Sequence, residues 1–279
     1  LNYFKLKSKK PVNLNPWKKI TKTILQTKKQ VNIAIIGKYV ELKDAYKSLD
    51  EALTHGGIEN HVKVNLIRID SEKLKVSEIR SRLKDISGIL IPGGFGKRGT
   101  NGKIESIKYA RNNKIPFFGI CFGMQMAIIE FARNKLNLKK ATSSEFDKKG
   151  LPVIGLINEW IKDGKRVRGT DKYFGGTMRL GSYDAKLKDK TMIKKIYRKN
   201  LISERHRHRY EVNIGYKDRF EKNGMIFSGI SPDGLLPEII ELKNHPWFIG
   251  VQFHPEFKSR PFAPHPLFSS FIKASKNHR

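Results

Sequence analysis

The sequence predicts an α/β fold: a doubly wound, mostly parallel central sheet flanked by helices, with added β-strands in its second half. Three observations carry this. Strand-like apolar runs and amphipathic helical runs alternate four times within about a hundred residues, the order that lays parallel strands under helices on both faces. Two of these strands run into glycine-rich turns, Pro92-Gly93-Gly94-Phe95-Gly96 and Cys121-Phe122-Gly123, and such sheets hold their sites at the carboxyl ends of strands. The second half carries short apolar strand-like runs in place of further strand–helix alternation.

The elements follow in order. Residues 1–30 are basic, with a Pro- and Asn-containing linker (11–17) leading to a short amphipathic helix over 17–25. Val31-Asn32-Ile33-Ala34-Ile35-Ile36-Gly37 is a buried strand ending in glycine. Residues 44–54 have helical period, with Ala45, Leu49, Ala52 and Leu53 on one side. A strand over 62–69, a helix over 74–83 and a strand over 88–91 come next. A helix over 104–111, a strand over 116–120 and a helix over 123–134 complete the first half. Beyond them, strands are expected at 153–156, 180–183, 208–212, 225–231, 236–242 and 248–253. The polar, glycine-rich segment 163–176 reads as a mobile loop, and 266–273 as a closing helix.

The 279 residues carry 38% hydrophobic and 29% charged side chains, the balance of a soluble globular protein. The chain opens on Leu1 and not on Met, so it is expected to begin inside a longer chain or to follow processing. Its longest charge-free apolar stretch, 115–129, is shorter than the ~20 residues a membrane helix needs. A single cysteine excludes an internal disulfide framework and fits a reducing, cytoplasmic compartment. The net charge of +30 is extreme. Its lysines are scattered and not gathered in one stripe, so the charge reads as solvated faces and not as a nucleic-acid module.

That one cysteine, Cys121, stands in Pro116-Phe117-Phe118-Gly119-Ile120-Cys121-Phe122-Gly123-Met124-Gln125. The pattern is a nucleophile elbow: a buried strand ends, the chain turns sharply, and a thiol is left at a helix N-terminus. Glycines on both sides are needed because side chains there would collide with the neighbouring strand or helix. The N-terminal end of a helix favours a thiolate. Far downstream lies Gly250-Val251-Gln252-Phe253-His254-Pro255-Glu256. In an extended segment, residues two apart share a face, so His254 and Glu256 are expected side by side. A thiol, a base and an acceptor that orients the base are the parts of a nucleophilic site.

The elbow, the Gly-Gly turn after a strand and the distal His-Pro-Glu, in that order, resemble the class I (triad) glutamine amidotransferases over about residues 31–275. The resemblance implies that Cys121 attacks the side-chain amide of L-glutamine, that His254 and Glu256 complete the triad, and that ammonia leaves from a thioester. It implies an oxyanion hole made by the N–H groups of Gly94 and Phe122, each such donor worth roughly 3 kcal/mol. It implies a glutamine pocket of Gly94, Phe122, Gly123, Met124, Gln125, Glu145 and Arg209. Glu145, in Thr142-Ser143-Ser144-Glu145-Phe146, would take the α-amino group, and Arg209 is the last arginine of the Arg205-His206-Arg207-His208-Arg209-Tyr210 run. A free amino acid carries both charges, so its pocket needs a carboxylate and a guanidinium.

Longer runs are similar to one branch of that family: residues 37–48, Gly175-Gly176-Thr177-Met178-Arg179-Leu180-Gly181, residues 204–213, and Phe257-Lys258-Ser259-Arg260-Pro261 with His265-Pro266-Leu267-Phe268. In that branch the glutaminase domain follows an amino-terminal synthetase domain, which aminates UTP to CTP using ATP and Mg²⁺. The branch is activated by GTP and assembles as a homotetramer. Residues 1–30 would then be an arm from the synthetase domain and 31–279 the amidotransferase domain. The turn 98–103 and the loop 166–176 are candidates for sensing nucleotide or gating the pocket. Phe122 stands where the family usually carries Leu; its N–H does the work, so activity is expected to survive.

Other readings are weaker. His206 and His208 share a strand face, but no Cys or close carboxylate pair completes a metal site; no metal and no cofactor are expected in this domain. Arg205, Arg207 and Arg209 read as a basic face for substrate and ion pairs. Residues 93–99 lack the spacing and the Lys-Ser/Thr ending of a Walker A loop, so an ATP site belongs elsewhere. Asp50, Glu51 and Glu238 read as surface or structural carboxylates. A γ-glutamyl hydrolase is opposed by the Glu145/Arg209 clamp for a free amino acid. A non-enzymatic, basic nucleic-acid-binding protein is opposed by the intact triad.

Overall fold

The computed structural model describes residues 3–4, 12–156, 159–162, 165–168 and 178–278. Its elements are α1 (Asn15–Gln26), β1 (Gln30–Gly37), α2 (Lys47–Glu59), β2 (Lys63–Asp70), α3 (Ile79–Leu83), β3 (Gly88–Ile91), α4 (Thr100–Asn112), β4 (Phe117–Ile120) and α5 (Phe122–Asn134). There follow β5 (Ala141–Ser143), β6 (Leu151–Leu156), β7 (Glu159–Lys162), β8 (Lys165–Arg168), β9 (Arg179–Leu187), α6 (Met192–Tyr197), β10 (Leu201–His208) and β11 (Tyr210–Val212). The chain closes with α7 (Lys217–Lys222), β12 (Met225–Ile230), β13 (Pro237–Leu242), β14 (Phe248–Val251) and α8 (Pro266–Asn277). Except for 165–168, the segment expected as a mobile loop lies outside the described residues, as do Gly175 and Gly176.

One nine-stranded sheet forms the centre, in the order β10-β9-β12-β13-β14-β4-β3-β1-β2. From β14 to β2 neighbouring strands run parallel; from β10 to β14 they run antiparallel. Among the described residues, β9, β10, β12, β13 and β14 of the second half extend the same sheet, which is mixed, whereas β5, β6 and β11 form a three-stranded sheet and β7 and β8 a two-stranded one. β14 is the join: it lies parallel to β4 on one side and antiparallel to β13 on the other. Alternation along β1 shows how the sheet is covered on both faces. Ile33 and Ile35 pack into the cluster containing Leu49, Leu53, Phe268 and Phe271 from α2 and α8. Ala34 and Ile36 pack into the one containing Leu83, Ile104 and Ile107 from α3 and α4. Successive Cβ atoms point to opposite faces, so an unbroken apolar strand is one buried on both.

The structure departs from the local reading in several places. Ala45 lies exposed in a 3₁₀ turn (Lys43–Tyr46) ahead of α2, and the helix runs on to Glu59. The expected strand over 208–212 is two strands in two sheets: β10 ends at His208, and β11 pairs with β6. α6 and α7 are only six residues each, too short for hydrophobic period to declare them. α6 is fixed from outside itself: the buried Glu241 carboxylate accepts the N–H groups of Met192 and Ile193, each at 2.9 Å, which suits the positive end of a helix. α1 forms as expected but buries no residue; Trp17 rests edge-on against Phe262, ring centroids 4.5 Å apart. No helix among the described residues is long and apolar enough to cross a membrane.

Candidate active site

Cys121 caps the junction of β4 and α5 with φ 50° and ψ −102°, a conformation that costs a non-glycine residue ~1–3 kcal/mol and is kept only where the surroundings impose it. The flanking glycines impose it. A Cβ on Gly119 would lie 2.8 Å from the carbonyl carbon of Gly123, and one on Gly123 would lie 2.1 Å from the Ile91 oxygen. Strand and helix therefore approach as closely as the sequence implied. The Cys121 N–H donates to the Val251 carbonyl at 2.7 Å, pinning the elbow to the end of β14.

His254 leaves that same end. Because β4 and β14 are neighbours in register, Val251 beside Ile120, residues more than a hundred positions apart emerge side by side. The His254 N–H donates to the Arg205 carbonyl at 2.7 Å. Its Nδ1 lies 2.7 Å from Glu256 Oε1, which leaves Nε2 for the cysteine. The pairing of His254 and Glu256 was expected from an extended segment; the structure achieves it otherwise. Residues Pro255–Lys258 form a 3₁₀ turn, and the turn folds the carboxylate back onto the ring. Burial opposes charge on His254, but the Cys121 sulfur and the Glu256 carboxylate outweigh it and push the imidazole up to about 10. An imidazole held between a sulfur and a carboxylate has the arrangement of a base oriented toward a thiol.

Of the other residues expected in the pocket, Phe122 to Gln125 open α5, Glu145 follows β5, and Arg209 lies between β10 and β11. Phe122 is the first residue of α5, so its N–H is one that a helix leaves without an intrahelical partner. Gly94 faces it: a Cβ there would sit 3.8 Å from Phe122 Cδ1. Glu145 reaches the same glycine-rich loop, its Oε1 accepting the Gly96 N–H at 2.6 Å; burial raises its carboxyl above the usual range. Met124 is fully buried behind the elbow. Gln125 is also buried, and its amide nitrogen donates to the Tyr210 carbonyl at 2.8 Å and to Gln252 Oε1 at 3.2 Å.

Arg209 corrects the reading of one basic face. Arg205 and Arg207 are exposed on β10, but the strand stops at His208, and Arg209 is half-buried at the bend before β11. His206 and His208 occupy the buried face of β10. His208 Nε2 lies 2.6 Å from Glu211 Oε1, and Arg179 bridges Glu211 and Glu238 at 2.7 Å each. Glu238 is thus a fully buried structural carboxylate. Asp50 pairs with Arg68, whereas Glu51 is exposed beside Lys47. No group of three or more His, Cys, Asp or Glu among the described residues is placed to hold a metal ion. Lys103, placed above in the turn 98–103, is instead buried in α4, which begins at Thr100; its Nζ donates to Ser71 Oγ at 2.9 Å, and burial brings it down to about 8.

Two residues at the centre stand in the quoted motifs but were given no role of their own there. A Cβ on Gly93 would lie 2.7 Å from the His254 ring, and Gln252 reaches the Cys121 sulfur at 3.6 Å. Gln252 carried a usable signal: it stands two residues before His254 at the end of an extended strand, the spacing that shares a face.

Residues 41–274 match the family model "Glutamine amidotransferase class-I". The chain is 84% identical over 279 residues to the CTP synthase of Pelagibacter ubique, covering 100% of this chain and 52% of that protein. It is 56% identical over 278 residues to the CTP synthase of Zymomonas mobilis, covering 99% of this chain and 51% of that protein. The chain therefore spans about half the length of these curated relatives. Among solved structures, the Trypanosoma brucei CTPS glutaminase domain with bound acivicin superposes with a TM-score of 0.81 at 36% identity, covering 89% of this chain and 95% of that one.

Proposed function

The chain belongs to the class I glutamine amidotransferases, and on that premise we propose that it is the glutaminase half of a CTP synthase. The observation that carries the reading is the contact series sulfur, imidazole, carboxylate. His254, held by Glu256 at 2.7 Å, takes the Cys121 proton on Nε2. The sulfur adds to the side-chain amide carbon of L-glutamine, and the carbonyl electron pair moves to oxygen, facing the N–H groups of Gly94 and Phe122. Collapse breaks the C–N bond, the imidazolium gives its proton to the leaving nitrogen, and ammonia departs. Water, deprotonated by His254, then cleaves the thioester. Glu145 and Arg209 are assigned the two opposite charges that a free amino acid needs, and Gly123, Met124 and Gln125 are assigned to the same pocket. Acivicin is expected to enter the same pocket.

Residues 1–30 are the arm that follows an amino-terminal synthetase domain, to which ammonia passes for the ATP- and Mg²⁺-dependent amination of UTP. GTP as activator, a homotetramer and a cytoplasmic location belong to the same proposal. Cys121→Ala in the full-length protein tests it: glutamine-dependent CTP formation should vanish while formation from added ammonia persists. Loss of both activities would make Cys121 structural and sink the assignment.

A further inference from the structure

Three hydrogen bonds connect a backbone carbonyl to the nucleophile. Gln125 Nε2 donates to the Tyr210 carbonyl oxygen at 2.8 Å and to Gln252 Oε1 at 3.2 Å; Gln252 Nε2 donates to Cys121 Sγ at 3.6 Å. An amide side chain can flip, and its orientation is set by its partners. Here the partners leave one choice. A carbonyl oxygen only accepts, so the Gln125 atom beside Tyr210 is the NH₂ group. That group then presents a donor to Gln252, whose oxygen must turn toward it. The Gln252 NH₂ is left facing sulfur. Gln125 is 3% exposed and Gln252 0%, so water does not compete. The Gln252 main chain is fixed as well, its N–H donating to the Glu238 carbonyl at 2.9 Å.

We propose that Gln252 is a further catalytic residue: its amide donates a hydrogen bond to the Cys121 thiolate and, with the His254 imidazolium, holds the sulfur charged and aimed for attack. The inference rests on the glutaminase reading for the reaction it serves, but the contact concerns the resting sulfur and is measurable without substrate. Hydrogen bonds to a charged acceptor are stronger than neutral ones, so the donor favours the thiolate over the thiol. The proton released goes to His254, and no other reactant is needed. When the C–S bond forms, the sulfur loses its charge and the bond weakens; when the thioester is hydrolysed, the departing thiolate regains it. Gln252 therefore assists both halves of the cycle. The anchor at Tyr210 makes the donor direction permanent, because a flipped Gln252 would set its NH₂ group against that of Gln125 and its oxygen against the sulfur.

The test is the pH profile of Cys121 alkylation by iodoacetamide in the full-length protein, followed by mass spectrometry of the peptide that carries Cys121. In Gln252→Leu the midpoint should rise by about one pH unit, seen as a roughly tenfold slower reaction on the acid side, with the alkaline plateau retained. Gln252→Asn keeps an amide but withdraws it by one methylene, and should show the same upward shift if Gln252→Leu fails to fold. Glutamine hydrolysis is measured in parallel. If wild type hydrolyses glutamine and folded variants keep its alkylation midpoint, the Gln252 inference is overturned and the glutaminase reading stands. If the midpoint rises while wild type hydrolyses no glutamine, the inference holds and the substrate assignment fails.

Discussion

Gly93 lies against His254: a Cβ added to the glycine would sit 2.7 Å from the imidazole Cε1. The first glycine of the Gly-Gly turn is therefore what makes room for the base, while a Cβ on Gly94 would meet only ordinary contact with Phe122. Gly93→Ala must push the ring off the sulfur or drag the turn with it. A displacement of about 1 Å at a reacting group costs on the order of 10²-fold in rate. Steady-state glutaminase kinetics should show that fall in kcat, with the thermal midpoint little changed. Retained kcat would mean that the ring has space to move without leaving its line.

Glu256 acts on the other side of the ring. Glu256→Gln preserves shape but removes the charge and offers Nδ1 a neutral partner. The loss of tautomer control and of imidazolium stabilisation should lower kcat by roughly 10²- to 10⁴-fold, with KM nearly unchanged. The His254 imidazole, now near 10, should titrate lower by NMR, because one of the two groups that raise it is gone. The sign follows. A raised imidazole contributes stability that is complete below about 6.5 and is lost as pH climbs toward 10, so the variant should lose stability mainly at neutral pH and below.

Glu238 gives a prediction about folding alone. Burial, reinforced by the nearby Glu211 charge, pushes its carboxyl up to about 8 against the pull of Arg179. The unfolded chain releases this proton near 4.5, so between about 4.5 and 8 the folded state binds more protons, and stability falls as pH rises. Glu238→Gln keeps an acceptor for Arg179 and removes that slope. Urea unfolding should find variant and wild type alike near pH 5, and the variant more stable at pH 8 by roughly 3 kcal/mol. Parallel stability curves across that interval would contradict the assignment.

Much of the site was legible because its parts are locally encoded. Gly119 and Gly123 announce a tight strand-to-helix turn, and the clashes that a Cβ would meet there are those the pattern implied. His254 and Glu256 were rightly paired, though by a 3₁₀ turn and not by strand alternation, since Pro255 suits either. Arg209 was misplaced in an alternating face because nothing in Arg207-His208-Arg209 marks the bend that ends β10.

The chain's order of residues determined which chemical groups exist, the tight turn that strains Cys121, and the alternation that buries β1 on both faces. Strand order decided the rest. Only the pairing of β4 with β14 sets Cys121 beside His254 and Gln252, and only burial turns Gln125 and Gln252 into a one-way series of donors or forces Arg179 between two carboxylates. Local period reports how one segment meets its own neighbours. Contacts between distant segments depend on which strands lie side by side and on how completely water is excluded, and these are properties of the folded sheet as a whole.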